Sequence, residues 1–436
     1  MDTAAAYAEA LRRGALDPVL TRLYRSVDIA AQRDRYLDLL DCFESRVGPG
    51  PAALILAPGR TELGGNHTDH NLGVVLAAAV HFDCLAVARP SDGNMVRIQS
   101  KGFDEEIVVD VSDLAPRPGE KDTSMALVRG VAAGLAESGR KVAGFDACVN
   151  GEVPMGAGLS SSAAFEILIG RIFSELFNDG ECTPLELAVA GRAAENDYFG
   201  KPCGLMDQLS CAAQGILSID FADPARPVVQ EVDFDFEGTG YRLVVVDTGG
   251  SHADLTPDYA AIPDEMGRAA SALGQTHARG LTVDAVLAHA ARIREAAGDR
   301  GVLRLIHFIE ETERAAEQAE VLAAGRMDDF LNLVRTSGDS SWRLLQNCIS
   351  ATDPLDQPIP LALTLTERFL HGEGACRIQG GGFAGTIQAY VPADRFTAYT
   401  EFMEEIFGRG AVMPLKVRRP GFERIALDMI GGEGGA

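Results

Sequence analysis

PMGAGLSSSAA, residues Pro154 to Ala164, is the stretch on which the fold turns. Small residues at 156, 157 and 158 let a backbone approach a ligand closely, because almost no side chain intervenes. Ser160, Ser161 and Ser162 then open an alanine-rich run that reads as a helix from Ala163 to about Phe177. A helix N-terminus offers unpaired N–H groups and the positive end of the dipole, and both suit phosphate. Serine hydroxyls can add ligands for phosphate oxygens or for Mg2+. The loop is not a Walker A motif, since no Lys-Ser/Thr follows a GxxxxG frame, and it is not the GxSxG elbow of hydrolases. Taken alone, GLSSSA reads equally well as a serine-rich helix cap.

Three further stretches lie around it. PCGLMDQLS, Pro202 to Ser210, sets Asp207 in apolar surroundings after a Pro202-Gly204 turn, twelve residues beyond Glu195. QGGGFAG, Gln379 to Gly385, is too glycine-rich for regular structure unless something comes close to it. LGGNHTDHN, Leu63 to Asn71, has a metal-like look from His67 and His70, but the remaining histidines are scattered without paired spacing.

The chain has 436 residues, enough for two or three domains, and a formal net charge of −24. So acidic a surface excludes nucleic acid and anionic membranes as partners, while a local pocket can still take an anionic substrate. Eight cysteines without a CxxC pair read as small buried hydrophobes in a reducing compartment. The start, MDTAAAYAEALRRG, is an amphipathic helix without a signal-peptide core, and no apolar run approaches the ~20 residues of a membrane helix. A cytoplasmic protein is expected.

Helix-period patterns fill residues 1–45. ALILAPGR reads as a buried strand ending at Pro58-Gly59. Long apolar β patterns follow at 73–90, 95–100 and 145–154, with helices at 123–139 and about 184–196. Residues 254–346 are mostly helical. The expected division is a helical extension (1–45), an N-terminal lobe with clamp and phosphate loop (46–215), and a C-terminal lobe with the GGGFAG motif (216–436), giving two α+β lobes around a cleft.

Together these stretches resemble the GHMP kinase superfamily and, within it, the galactokinase family. GRxxLxGxHTDxN is met by Gly59 to Asn71, and PxGxGLSSSAA by Pro154 to Ala164. PCGxMDQ with an upstream glutamate is met by Pro202 to Gln208 with Glu195, and RxxGGGFxG by Arg377 to Gly385. The motifs stand in family order over roughly residues 50 to 420.

The resemblance implies an α+β, two-lobed GHMP kinase fold with the active site in the cleft between the lobes. It implies transfer of the γ-phosphate of ATP to the anomeric hydroxyl of galactose, with Mg2+ as cofactor. Asp207 falls on the catalytic aspartate and Arg60 on the arginine beside it. Asn66, His67, Asp69, Gly204 and Tyr259 fall on sugar-binding positions. Gly156, Gly158, Leu159, Ser160, Ser161 and Ser162 form the ATP loop, and Ser162 and Glu195 fall on the Mg2+ ligands. Physical chemistry agrees, since phosphoryl transfer needs mainly positioning and charge stabilisation. An ionised Asp207 can orient a hydroxyl and accept its proton, while Arg60 keeps it ionised.

The first motif departs most from the family. Asn66 replaces a glutamate that contacts the sugar's hydroxymethyl group, Glu62 replaces an asparagine, and His70 replaces a tyrosine. A hydrogen bond to a charged group is worth about 1.5–3 kcal/mol against about 1 for a neutral one. Losing that charge makes galacturonate or L-arabinose alternative substrates. A non-catalytic regulator that binds galactose and ATP is another alternative, and the presence of Arg60, Ser162, Glu195 and Asp207 favours an enzyme over it. The sequence is silent on oligomeric state.

Overall fold

The protein is described by a computed structural model covering residues 1–25, 28–250, 255–350, 354–421 and 424–429. Three helices open the chain: α1 (Ala4–Arg12), α2 (Asp17–Tyr24) and α3 (Ile29–Val47). The side chains of Thr3 and Asp28 cap α1 and α3 by accepting from backbone N–H groups. Then come β1 (Ala53–Gly64), β2 (Val74–Pro90), β3 (Met95–Ser100), β4 (Ile107–Asp110), α4 (Ser124–Glu137) and β5 (Phe145–Gly151). The phosphate-loop helix α5 (Ser161–Phe177) follows, with α6 (Pro184–Ala193), α7 (Met206–Ala213), β6 (Ile216–Asp220) and β7 (Val228–Glu231). The strands order as β12-β1-β2-β5-β3-β4, where β12 is the late strand Arg424–Ile425, with β6 on the far half of β2 and β7 on β6. All these pairings are antiparallel except β3 with β5.

The apolar run at 53–57 forms a strand buried on both faces, which is why it shows no polar alternation. Period two divides it: Ala53, Ile55 and Ala57 join the core that contains α5, while Leu54 and Leu56 join a second core with Leu20, Leu39 and Phe43. Residues 1–45 are thus the cover of the sheet's outer face. A buried charge cluster fastens that cover. Asp83 on β2 accepts from Tyr24 Oη (2.9 Å) and Arg418 (2.6 Å) and pairs with Arg35 of α3 at 2.8 Å.

Two expectations are corrected. The strand from Ala53 does not end at Pro58-Gly59; the register with β2 shifts between Pro58 and Arg60, and β1 continues to Gly64. Proline lacks an N–H for the ladder, and the irregularity absorbs that loss. A Cβ at Gly59 would stand 2.7 Å from the Leu159 carbonyl, so the chain passes directly against the phosphate loop there. The second unit also does not begin at 216, because β6 and β7 complete the first sheet.

A second sheet contains β8 (Tyr241–Asp247), β9 (Ala375–Ile378), β10 (Thr386–Pro392) and β11 (Val412–Pro414), in the order β11-β8-β10-β9. Between β8 and β9 lie α8 (Thr256–Ala272), α9 (Val283–Ala288), α10 (Ala290–Ala323), α11 (Met327–Ser340) and α12 (Pro358–Leu370). Helix α13 (Phe396–Phe407) follows β10, and β12 (Arg424–Ile425) returns the chain to β1. The expected 216–436 lobe therefore gives both its first and its last strands to the first sheet. Among the described residues no helix is long and apolar enough to cross a membrane.

Candidate active site

The phosphate loop has an alternating backbone. Gly156, Gly158 and Ser160 take positive φ (77°, 66° and 58°), and residues 157 and 159 do not. Alternation of this kind points successive N–H groups into one concavity and suits an anion. The N-terminus of α5 opens beside it. Leu159 is fully buried, so only its backbone can face a nucleotide, and its carbonyl accepts from the Arg60 N–H at 3.1 Å.

Arg60 is nearly buried and joins three elements. It donates from Nε (2.9 Å) and Nη2 (2.7 Å) to Oδ1 of Asp207, and from Nη1 to the Gly158 carbonyl (2.6 Å). Ser160 Oγ donates to the other oxygen of Asp207 at 2.5 Å. Burial alone would raise the Asp207 pKa, but the Arg60 charge and these hydrogen bonds hold it below the usual carboxylate range. The Asp207 side chain stays about 30% exposed, so it remains accessible to a ligand. Ser160 was expected among the ATP contacts; its hydroxyl instead braces Asp207, leaving its backbone to the loop.

In the first turn of α5, Ser162 Oγ donates to Glu195 Oε1 at 3.0 Å. Glu195 lies in a π-helical turn, Ala194–Phe199, and its Oε2 accepts from Gln208 Nε2 at 2.9 Å. That nitrogen also reaches Glu166 at 3.0 Å. Burial and the Glu195 charge raise the Glu166 pKa well above its ordinary value. Ser162 and Glu195 present the hard oxygen donors that Mg2+ takes. Among the described residues no group of three or more His, Cys, Asp and Glu could hold a metal.

The clamp side is built differently. Asn66 is fully buried. Its amide donates to Glu62 Oε1 (3.0 Å) and to the Gly380 carbonyl (2.7 Å). Its carbonyl accepts from Asn347 (2.8 Å) and Ser341 (3.4 Å). All four hydrogen-bonding positions are filled from within the protein, so the expectation that Asn66 meets a sugar does not hold in this geometry. Glu62, also buried, pairs with Arg377. The two departures from the family pattern, Glu62 and Asn66, are thus one hydrogen-bonded couple with carboxylate and amide exchanged.

The histidines form a directed chain. Asn71 Nδ2 donates to His70 Nδ1 (3.0 Å), His70 Nε2 to His67 Nδ1 (3.4 Å), and His67 Nε2 to the Gly381 carbonyl (2.8 Å). That order requires both rings neutral. Burial agrees, lowering His67 to about 4 and His70 to about 3. With its ring nitrogens engaged, His67 braces the turn, and neither ring is left for a metal.

Asp69 lies directly against Gly204. A Cβ at Gly204 would stand 1.8 Å from Asp69 Oδ2, so only glycine leaves that carboxylate in place. Burial, helped by the charge of Asp207, raises Asp69 to about 6. Tyr259 lies on the glycine-rich loop, donating from Oη to the Gly382 carbonyl at 2.9 Å.

Sequence reasoning missed the residues that hold the clamp from the other sheet's side. Glu311 of α10 accepts from the N–H groups of Gly65 (3.2 Å) and Asn66 (3.4 Å) and from Ser337 Oγ (2.6 Å), and it pairs with Arg314. His307, one turn earlier, meets the Asn66 carbonyl at 2.9 Å. Their spacing of four on one helix face was the available signal, but nothing in sequence tied it to a turn some 240 residues away.

A phosphate-loop helix laid against a mixed sheet, with an arginine-braced aspartate at its mouth, defines a GHMP-type kinase. The model of the GHMP kinases N terminal domain matches residues 126–215, and the galactokinase galactose-binding signature matches residues 41–90. The chain is 30% identical to the galactokinase of Streptomyces coelicolor over 384 residues, covering 86% of this chain and 94% of that one. It is 32% identical to the galactokinase of Chloroflexus aggregans, covering 83% and 89%. Its fold is similar to that of a Lactococcus lactis galactokinase solved with galactose (TM-score 0.76, 23% identity, 88% of this chain and 98% of that one). A Methanococcus jannaschii mevalonate kinase shares the fold more distantly (TM-score 0.59, 14% identity, 85% and 99%). The chain belongs to the galactokinase family, whose members are ATP-dependent sugar kinases.

Proposed function

We propose that this protein transfers the γ-phosphate of ATP to the anomeric hydroxyl of galactose, giving galactose 1-phosphate and ADP. The observation that carries the reading is the Arg60–Asp207–Ser160 cluster at the mouth of the phosphate loop, with Asp69 across from it. A sugar hydroxyl entering between the two carboxylates meets acceptors on both sides. Asp207, held ionised by Arg60, orients the attacking hydroxyl and takes its proton late, as the loosened phosphoryl group transfers. Arg60 also faces the negative charge that develops there. Asp69, with two acceptor oxygens, fits a pair of vicinal hydroxyls. Ser162 and Glu195 are suited to hold Mg2+, which when bound neutralises charge on the β- and γ-phosphates.

Galactose leads over galacturonate and L-arabinose because neither residue of the exchanged couple offers new chemistry to the sugar. Asn66 is buried, and Arg377 cancels the charge of Glu62. The test is ATP-dependent phosphorylation of the three sugars under one set of conditions. Galactose is expected to give the highest kcat/KM, and faster turnover of either other sugar overturns the choice.

A further inference from the structure

Lys201 has no place in the reading above, yet its ammonium lies 3.0 Å from Glu195 Oε1. Ser162 Oγ donates to that same oxygen, also at 3.0 Å. The other oxygen of Glu195 is tied into the core by Gln208. A divalent cation carried by Ser162 and Glu195 would therefore have to take the oxygen that the ammonium occupies. Two cations on one carboxylate oxygen repel, so one of them must leave.

The backbone shows which one can move. The N–H groups of Gly200 and Lys201 both donate to the Glu195 carbonyl at 2.9 Å, and Pro202 follows directly, so the main chain is fixed. The Lys201 side chain, by contrast, is 62% exposed against 3% for Glu195. Its four-carbon stem can swing while its root stays in place. The region it can reach is the mouth of the phosphate loop, where a triphosphate would meet the α5 N-terminus.

We propose that Lys201 is a phosphate-contacting cation that works by exchange. Without nucleotide it neutralises Glu195 and holds the Ser162–Glu195 pair against free metal. With a metal–nucleotide complex bound, Ser162 and Glu195 would hold the metal and the Lys201 ammonium would move onto the phosphates. This rests on the kinase reading for its ligand, but its test does not need turnover.

Mn2+ binding to the full chain without nucleotide, followed by electron paramagnetic resonance, is compared for wild type, Lys201→Met and Lys201→Arg. Mg2+-dependent binding of a non-hydrolysable ATP analogue is measured on the same proteins by calorimetry. Removing the competing charge is expected to tighten Mn2+ binding about tenfold in Lys201→Met and to weaken analogue binding by about the same factor. Lys201→Arg should stay within about threefold of wild type in both. Galactose binding without nucleotide, expected unchanged, shows that the variant is folded. If Lys201→Met leaves both affinities at wild-type values, the proposal is wrong. If only Mn2+ affinity changes, the transfer onto phosphate is wrong. Should wild type phosphorylate no sugar at all, the galactokinase reading fails while these two affinities still decide the role of Lys201.

Discussion

The two sides of the cleft draw on equally polar sequence and use it differently. On the phosphate side, Asp207, Ser162 and Glu195 are braced from behind, and Asp207 keeps exposed surface. On the clamp side, Glu62, Asn66, His67 and His70 bond to one another, to the glycine-rich loop and to neighbouring side chains. Among the described clamp residues, Asp69 is the one we propose meets the sugar. The lesson is that the motif richest in candidate ligands is mostly scaffold, and its polarity joins the two sheets. A densely hydrogen-bonded buried network specifies one arrangement, and removing a partner from it is costly.

That contrast can be broken most forcefully at Glu311. Glu311→Ala leaves two clamp N–H groups without this acceptor and leaves Arg314 with the more distant Glu310, 3.9 Å away. Loss of one partner of a buried pair costs about 3–5 kcal/mol. Denaturant melts should show a loss of that order, and an effect below about 1 kcal/mol would mean the clamp stands without α10.

Gly204→Ala should spare stability and strike binding. The added methyl displaces Asp69, so the galactose KM is expected to rise about 100-fold while the melting temperature changes little. An unchanged KM would remove Asp69 from the sugar site.

Asp69 also sets a pH dependence. Its pKa near 6 means that galactose affinity should be flat above about pH 7 and fall up to tenfold per pH unit below 6, as the acceptor is protonated. The stability sign is opposite. A carboxyl raised in the folded state contributes stability below its ordinary pKa of 3.8 and loses it as pH rises through 6. Asp69→Asn should therefore melt higher than wild type at pH 8, with the gain fading toward pH 4. Thermal scans across that range check it.

The smallest effect belongs to His70. His70→Asn breaks a chain of neutral hydrogen bonds worth about 1 kcal/mol and should change kcat/KM less than about threefold. A larger loss, or copurifying zinc, would restore the two histidines as ligands.

These residues also show how far the sequence could be read. The alternating small residues of the loop and the serines at the start of α5 were legible because each states local chemistry, whereas Asp207 beside Arg60, 147 residues apart in sequence, was legible only through the family resemblance. The surroundings of Asn66 were not legible because they come from Asn347 and Ser341, some 280 residues on. Strand β1 was cut short because Pro58 reads as a terminator, whereas an irregularity in the ladder accommodates it. The division at 216 failed because β6 and β7 pair backward to β2, and β12 returns to β1, which no composition shift announces. Helices 1–45 were recognised as helices, but their apolar faces could not say which surface they cover.

The central claim is that the braced phosphate side performs chemistry on a sugar that the clamp side merely holds. The most direct measurement compares ADP release with galactose and ATP for wild type and Asp207→Ala, alongside calorimetric galactose binding. Wild type is expected to release ADP in step with galactose 1-phosphate. Asp207→Ala should bind galactose within about threefold of wild type while losing about a thousandfold in kcat. Wild-type protein that binds both ligands yet releases no ADP, or an Asp207→Ala variant that keeps its turnover, would contradict the account.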